Sequence, residues 1–190
     1  MTTSVSKKKM VSAAVSAAEY LMMEHRLIER MIRILAKESV AGQGPAHITI
    51  GLPDAALEFF QVYVGLCHYG KEEGILLREL RRKPLRAEDL NALEELAKDH
   101  LEGRRLVAEL SSAAKLYKTG LRGAAPVLLD AVKAVCRSYR AQIEKEDKRF
   151  LPSAAGYFSP EEESRLLEEF RKFDSVVLKE TYTCMVASFE

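Results

Sequence analysis

The chain has 190 residues, of which 47% are hydrophobic and 30% charged, and its formal net charge is +1. This is enough chain for one globular domain with a sizeable core and too little for two large ones. A net charge so close to zero gives no electrostatic basis for nucleic-acid binding, which we therefore do not expect.

The beginning of the chain predicts a short, flexible basic tail over residues 1–9. The segment KKKMVSAAVSAA (7–18) resembles a signal peptide, but its Ser/Ala run is weakly apolar and continues into a helical pattern, which disfavours export. No apolar run approaches the ~18 residues of a membrane span, so no membrane partner is expected. Cys67, Cys136 and Cys184 are odd in number and far apart, which indicates a reducing, cytoplasmic compartment.

Turn-forming segments divide the rest of the chain into four long helical stretches and a shorter fifth. The breaks fall at residues 37–53, 81–89, 118–126 and 151–160. The fifth helix is predicted at about 160–188, with Ser159 as its N-cap and Pro160 in its first position.

No alternating pattern is long enough for a strand, which makes the fold class all-α. We predict a single domain over residues 10–190, with an up-down-up-down four-helix bundle at about 10–152. The additional C-terminal helix is expected to pack against the outside of this bundle or to form a homodimer contact.

Each bundle helix carries a polar residue on the face where apolar residues recur at steps of three or four. Three of the four histidines in the chain lie on these faces. The polar residues are His25, His68 with Glu72, His100, and Gln142 with Glu146. Any one of them alone is readily explained as a hydrogen-bonded core residue. Together, with no Lys or Arg on the same faces nearby, they lack the positive charge that buried carboxylates need.

A pair of metal ions would supply that charge, and the residue spacing suits such a site. His68 and Glu72 are four residues apart and so face the same way, as do Gln142 and Glu146. Mixed imidazole and carboxylate ligands suit iron, zinc or manganese. Glu72 and Glu146 are the candidate bridging ligands, and the histidines are the candidate terminal ligands.

Four segments together resemble the hemerythrin-like proteins of the HHE cation-binding family. They are LMMEHRLIERM around His25, HYGKEEGILL from His68, DHLEGRRLV from Asp99, and QIEKEDKRFLP from Gln142. The resemblance extends over about residues 18–152. It implies a four-helix bundle around a non-haem di-iron centre, with dioxygen, peroxide or nitric oxide as the small-molecule partner. It further implies oxygen, redox or nitric oxide sensing, detoxification, or iron handling.

The resemblance carries the ligand roles to His25, His68, Glu72, His100 and Glu146, but Gln142 stands where the family has histidine. An amide is a weaker ligand than an imidazole for iron or zinc. Three outcomes are open: weak ligation through the amide oxygen, an open position with the NH₂ group turned toward a bound oxygen species, or the loss of one metal.

The phenol of Tyr139, one helical turn before Gln142, would lie near that gap or serve as an ordinary core residue. Glu24, Glu73 and Asp99 are expected off the metal-facing side, because each neighbours a candidate ligand in sequence and points about 100° away from it. His47 is expected in a loop.

Two alternatives to the di-iron hypothesis remain. In one, the bundle has lost both metals and acts as a structural or interaction module. In the other, it holds a single structural zinc or other divalent ion. The sequence leaves open whether the protein is an enzyme, and no side chain is predicted to be an independent nucleophile.

Overall fold

The structure, a computed structural model, describes residues 15–41, 48–174 and 179–190. Within these ranges the chain forms six helices and no strand, as the all-α prediction requires. The predicted tail and His47 lie outside the described residues. The helices are α1 (Ala17–Ala41), α2 (52–80), α3 (Ala87–Lys118), α4 (124–155), α5 (Pro160–Asp174) and α6 (Lys179–Ala187).

Two of these helices change their winding beside the candidate ligands. Helix α2 contains two π-helical segments, and α4 contains one. His68 ends the first π segment, and Glu72 and Glu146 begin the other two. The steps of three or four predicted helices but not these changes of winding, and π turns inside α-helices are often found at functional sites. The π segments are Phe59–His68, Glu72–Leu76 and Glu146–Phe150.

Local sequence sets where several helices begin. Gly51 and Gly123 precede α2 and α4 with φ angles of 82° and 89°, a backbone conformation that side chains disfavour. At α5 the Glu162 amide donates to Ser159 Oγ at 3.3 Å, and the Ser159 amide donates to Glu162 Oε2 at 2.9 Å. This reciprocal capping box confirms the predicted helix start at Ser159 and Pro160.

The buried apolar side chains form two clusters with a polar layer between them. The larger cluster includes Ile32, Phe60, Leu110 and Val135. The smaller cluster includes Leu21, Leu76, Leu96 and Leu151. Helices α1 and α3 run from the smaller to the larger cluster, and α2 and α4 run the opposite way. The four helices therefore alternate in direction, which is the predicted up-down-up-down bundle.

Helices α5 and α6 extend the two clusters. Leu166 and Phe170 of α5 join the smaller cluster, and Tyr182 and Val186 of α6 join the larger one. Helix α5 contacts α1 and α2, so it packs on the outside of the bundle, one of its two predicted placements. A homodimer through this region stays a prediction. No helix of the described segments combines the length and apolar character needed to cross a membrane.

Candidate metal centre

The polar layer between the two clusters contains every candidate ligand. His25 lies on α1, His68 and Glu72 on α2, His100 on α3, and Glu146 on α4, and each is at most 1% exposed. Gln142 of α4 is 3% exposed in the same layer. The bundle therefore brings the six sequence-predicted residues into one buried site.

The side-chain atoms of the ligands that face one another within the layer, the inner atoms, lie close together. The His25 and His68 Nε2 atoms are 3.1 Å apart, and His25 Nε2 is 2.9 Å from Glu146 Oε2. One ligand atom from each of His25, His68, Glu72 and Glu146 lies within 4.8 Å of the other three. His100 adds a fifth donor, because its Nε2 lies 3.0 Å from Glu72 Oε2 and 3.9 Å from Glu146 Oε1.

Each histidine uses its outer nitrogen, Nδ1, to bind a carboxylate from another helix or turn. Such a carboxylate accepts the Nδ1 proton, leaves the lone pair on Nε2 and orients the ring, as at metal-binding histidines. The three Nδ1-to-oxygen pairs are His25 with Asp147 at 2.6 Å, His68 with Glu24 at 3.0 Å, and His100 with Glu73 at 2.7 Å.

A cation lies behind each of these outer carboxylates. Arg26 pairs with Asp147, Lys71 Nζ lies 2.6 Å from Glu24 Oε1, and Arg104 binds both oxygens of Glu73 at 2.9 Å. The sequence indicated no Lys or Arg on the ligand-bearing faces, and Lys71, which is 1% exposed, lies beside that face and not on it. All three cations neutralise outer carboxylates. No described Lys or Arg pairs with the inner carboxylates, Glu72 and Glu146.

Several inner atoms lack hydrogen bonds altogether. Both oxygens of Glu72, Oε2 of Glu146 and Nε2 of His100 make none with the described residues. Glu72 Oε2 and His100 Nε2 are close, but they are not oriented as a donor and an acceptor. Buried polar atoms left in this state cost about 1–3 kcal/mol each. Cations placed among them would satisfy all of these lone pairs, so the donor set fits a metal centre.

The pKa values of His25 and Glu146 in the metal-free site also indicate that the inner carboxylates lack positive charge. Burial lowers the pKa of His25, but the nearby carboxylates of Asp147 and Glu146 outweigh this effect and raise the pKa to about 10. Burial and the charge of Glu72 raise the pKa of Glu146 above its usual range. Without metal, a proton on His25 therefore supplies charge that a metal ion would otherwise bring.

Metal uptake by the purified protein is expected to release protons and to strengthen as the pH rises. The raised pKa of His25 means that the metal-free protein holds an imidazolium throughout pH 6 to 8, whereas a ligand must be neutral. Each unit of pH in that range should therefore tighten Zn(II) binding by up to about tenfold. Calorimetric titration in two buffers of different ionisation enthalpy measures the released protons. Binding heats that do not depend on the buffer would contradict this expectation.

Gln142 makes two hydrogen bonds that fix the direction of its amide. The Tyr69 hydroxyl donates to Gln142 Oε1 at 2.9 Å, and Gln142 Nε2 donates to Glu146 Oε1 at 2.8 Å. The reverse orientation would set an amide oxygen against a carboxylate, which offers no proton when ionised. The carbonyl oxygen of Gln142 is thus held by Tyr69, and its NH₂ group points at a candidate bridging ligand.

Tyr69 links Gln142 to His100 and to Tyr139. Its ring stacks on the His100 imidazole with 3.8 Å between centroids. The hydroxyls of Tyr69 and Tyr139 both lie over Gly103, where an added Cβ would come within 2.7 Å and 3.1 Å of them. Tyr139 is therefore beside Tyr69, and it has no direct hydrogen bond to Gln142 among the described contacts.

The three outer carboxylates share a pattern that was visible in the sequence. Glu24, Glu73 and Asp147 each neighbour a candidate ligand along the chain, yet each binds the histidine of another helix. They lie off the metal-facing side, as expected for Glu24 and Glu73, but they act on the site from outside. Asp99 instead pairs with Lys145 near the surface.

A small cavity approaches the site between α3 and α4. It has a volume of about 30 Å³ and reaches Glu146. One or two water-sized molecules fill such a volume. Its lining includes Leu96 and Phe150 at the apolar side and Lys145 at the charged side. The cavity therefore lies against Glu146, one of the two inner carboxylate residues.

Comparison with protein families agrees with this geometry. The model of the hemerythrin HHE cation-binding domain matches residues 16–154, which is more than half of the chain and includes all candidate ligands. Searches of curated proteins and of solved structures found no match. The chain therefore belongs to the hemerythrin HHE cation-binding domain family.

Proposed function

We propose that the protein binds two non-haem iron ions and that this centre binds or reacts with dioxygen, peroxide or nitric oxide. The observation that carries the proposal is the set of buried, unpaired inner atoms on Glu72, Glu146 and His100. The three histidines support it, because all direct Nε2 inward and bind a carboxylate through Nδ1.

The candidate ligands divide into two groups that share the inner carboxylates. His25 and His68 would hold one ion together with Glu72 and Glu146, the four residues whose ligand atoms cluster within 4.8 Å. His100 would hold the other ion, again with Glu72 and Glu146. Iron in these positions would supply redox chemistry and Lewis acidity toward a small oxygen or nitrogen species.

The protein's own residues prepare the site in three ways. With metal bound, Asp147, Glu24 and Glu73 would hold the imidazole rings in the tautomer whose Nε2 is free to act as a ligand. The two apolar clusters cover the layer from either side and limit its contact with water. With Gln142 in place of a fourth imidazole, the second ion would have one fewer strong ligand, and an open position is typical of reactive metal sites.

Iron content and spectroscopy test this proposal. Metal-free protein is titrated with Fe(II) without oxygen, the bound metal is counted per chain, and near-ultraviolet absorbance is followed after adding dioxygen or nitric oxide. About two irons per chain and new charge-transfer absorbance after either gas are expected. A folded protein that binds no iron would overturn the proposal and favour a structural or interaction module.

A single-ion site is the second candidate function. It is favoured by the completeness of the four-residue group around His25, which does not need His100. The weak donor Gln142, which stands in place of an imidazole, also favours a single ion. One zinc or manganese per chain, with no absorbance change on adding dioxygen, would establish this alternative over the di-iron centre.

A further inference from the structure

We propose that Asp174 of α5 is a positioning residue for the metal centre, acting on His68 through Lys71 and Glu24. The inference rests on the proposed metal site. Asp174 lies beyond residue 154, where the match to the family domain ends. This role of Asp174 would mean that α5, outside the matched family domain, contributes to metal binding.

An unbroken series of polar contacts joins Asp174 to His68. Asp174 Oδ1 contacts Lys71 Nζ, and Lys71 Nζ lies 2.6 Å from Glu24 Oε1. The other oxygen of Glu24 lies 3.0 Å from Nδ1 of His68. The side chains of Lys71, Glu24 and His68 are at most 2% exposed, so water cannot easily replace any member of the series.

The ion pairs behind His68 differ from those behind His25 and His100. Behind His25 and His100 the outer cations are Arg26 and Arg104, whose side chains are 55% and 41% exposed and can be solvated. Lys71 is buried, and its ammonium group has three donors to satisfy. Asp174 supplies an acceptor that water supplies elsewhere, and Tyr20 holds the other oxygen of Asp174.

The surface of α2 is shaped to receive this end of α5. Phe173 lies over Gly70, where an added Cβ would come within 2.6 Å of its ring. Gly70 is midway between His68 and Glu72, so α5 reaches the ligand-bearing turn because that position has no side chain. Gly74 lies two residues past Glu72, and an added Cβ there would meet nothing within 4 Å.

The charges of Asp174, Lys71 and Glu24 predict how the loss of Asp174 would change the metal affinity. With Asp174 present, Lys71 divides its hydrogen bonds between two carboxylates, and Glu24 remains a strong acceptor for His68. Without that negative charge, Lys71 would act on Glu24 alone and weaken its hold on the imidazole. Loss of an outer partner of a metal-binding histidine typically lowers metal affinity about 10–100-fold. Asp174 is two contacts further out, so we expect about three- to tenfold.

Full-length Asp174→Asn protein, titrated with Co(II), tests the inference. The matched control is Glu169→Gln on the same helix, whose carboxylate pairs with Arg78 at the surface. Weaker Co(II) binding and a changed visible spectrum are expected for Asp174→Asn, and parent-like behaviour for Glu169→Gln. A variant that is less heat-stable when metal-free, yet keeps parent affinity and spectrum, would show a merely structural role and overturn the inference.

A second pair of variants covers the case in which Asp174→Asn does not fold. Gly70→Ala displaces Phe173 without weakening the helix, since alanine favours helix more than glycine does. Gly74→Ala is its control at the same distance from Glu72. Weaker Co(II) binding by Gly70→Ala alone supports the inference, and equal binding by both overturns it. A parent protein that binds no Co(II) or Fe(II) would instead refute the proposed function itself.

Discussion

Replacing Glu146 by glutamine is expected to abolish the two-ion site while leaving the metal-free protein as stable as its parent, or more so. Glutamine keeps the shape of glutamate, and its oxygen still accepts the hydrogen bond that Gln142 donates to Glu146 Oε1. A neutral amide, however, is a poor iron ligand and brings no charge to balance two cations. Bound metal should fall from about two ions per chain to one or fewer.

The expected stability of the metal-free Glu146→Gln protein follows from the pKa of Glu146. Burial and the neighbouring charge of Glu72 raise that pKa. Ionisation of this carboxyl group therefore lowers the stability of the metal-free protein. A carboxylate whose folded pKa is raised loses stability as the pH rises through that pKa, and the amide avoids this loss. The free energy of unfolding should lie within about 1 kcal/mol of the parent value, or above it.

Metal analysis and chemical denaturation of the metal-free protein measure the two effects. The control is Glu144→Gln, the same chemical change at an exposed neighbour that pairs with Lys148 on the helix surface. It should retain both metals. If Glu146→Gln instead unfolded the metal-free protein by several kcal/mol and bound metal like the parent, Glu146 would be part of a structural network.

Replacing Gln142 by histidine is expected to tighten binding of the ion nearest His100. The Gln142 NH₂ group now donates to Glu146, and its oxygen accepts from the Tyr69 hydroxyl. The amide therefore offers no lone pair to the candidate metal centre. An imidazole in the same buried position offers a stronger donor to iron or zinc. The affinity for the second ion should rise on the order of tenfold or more.

Stepwise Fe(II) titration with spectroscopic detection separates the second ion from the first. Gln142→Leu serves as the control, because it removes both hydrogen bonds without adding a ligand and should not tighten binding. An unchanged stoichiometry and spectrum in Gln142→His would mean that residue 142 does not face a metal. The reactivity with nitric oxide should also fall in this variant, because the added ligand fills an open position.

Helical periodicity was sufficient to predict the bundle and the composition of its polar layer. Within one helix the spacing of residues fixes which side chains share a face, as for His68 and Glu72 four residues apart. Because such a face must be buried, the six polar residues of the four helices were expected to meet in one interior. The structure brings them together there.

The sequence alone could not assign the partners that hold these side chains. Glu24 was expected to lie off the metal-facing side of α1, and the sequence did not predict its hydrogen bond to His68 on α2. The sequence indicated no role for Lys71, which is buried and pairs with Glu24 and with Asp174 of α5. The orientation of the Gln142 amide depends on Tyr69, a residue from a different helix.

These differences have one physical reason. Spacing along a helix determines the direction of each side chain relative to its own helix axis, so the sequence by itself determined the all-α fold, the polar layer and the candidate ligands. Hydrogen bonds and ion pairs across the bundle depend on the rotation and offset between helices, which the π turns alter at His68, Glu72 and Glu146. Only the tertiary structure decided which carboxylate holds each imidazole, where the amide of Gln142 points, and that α5 reaches the site.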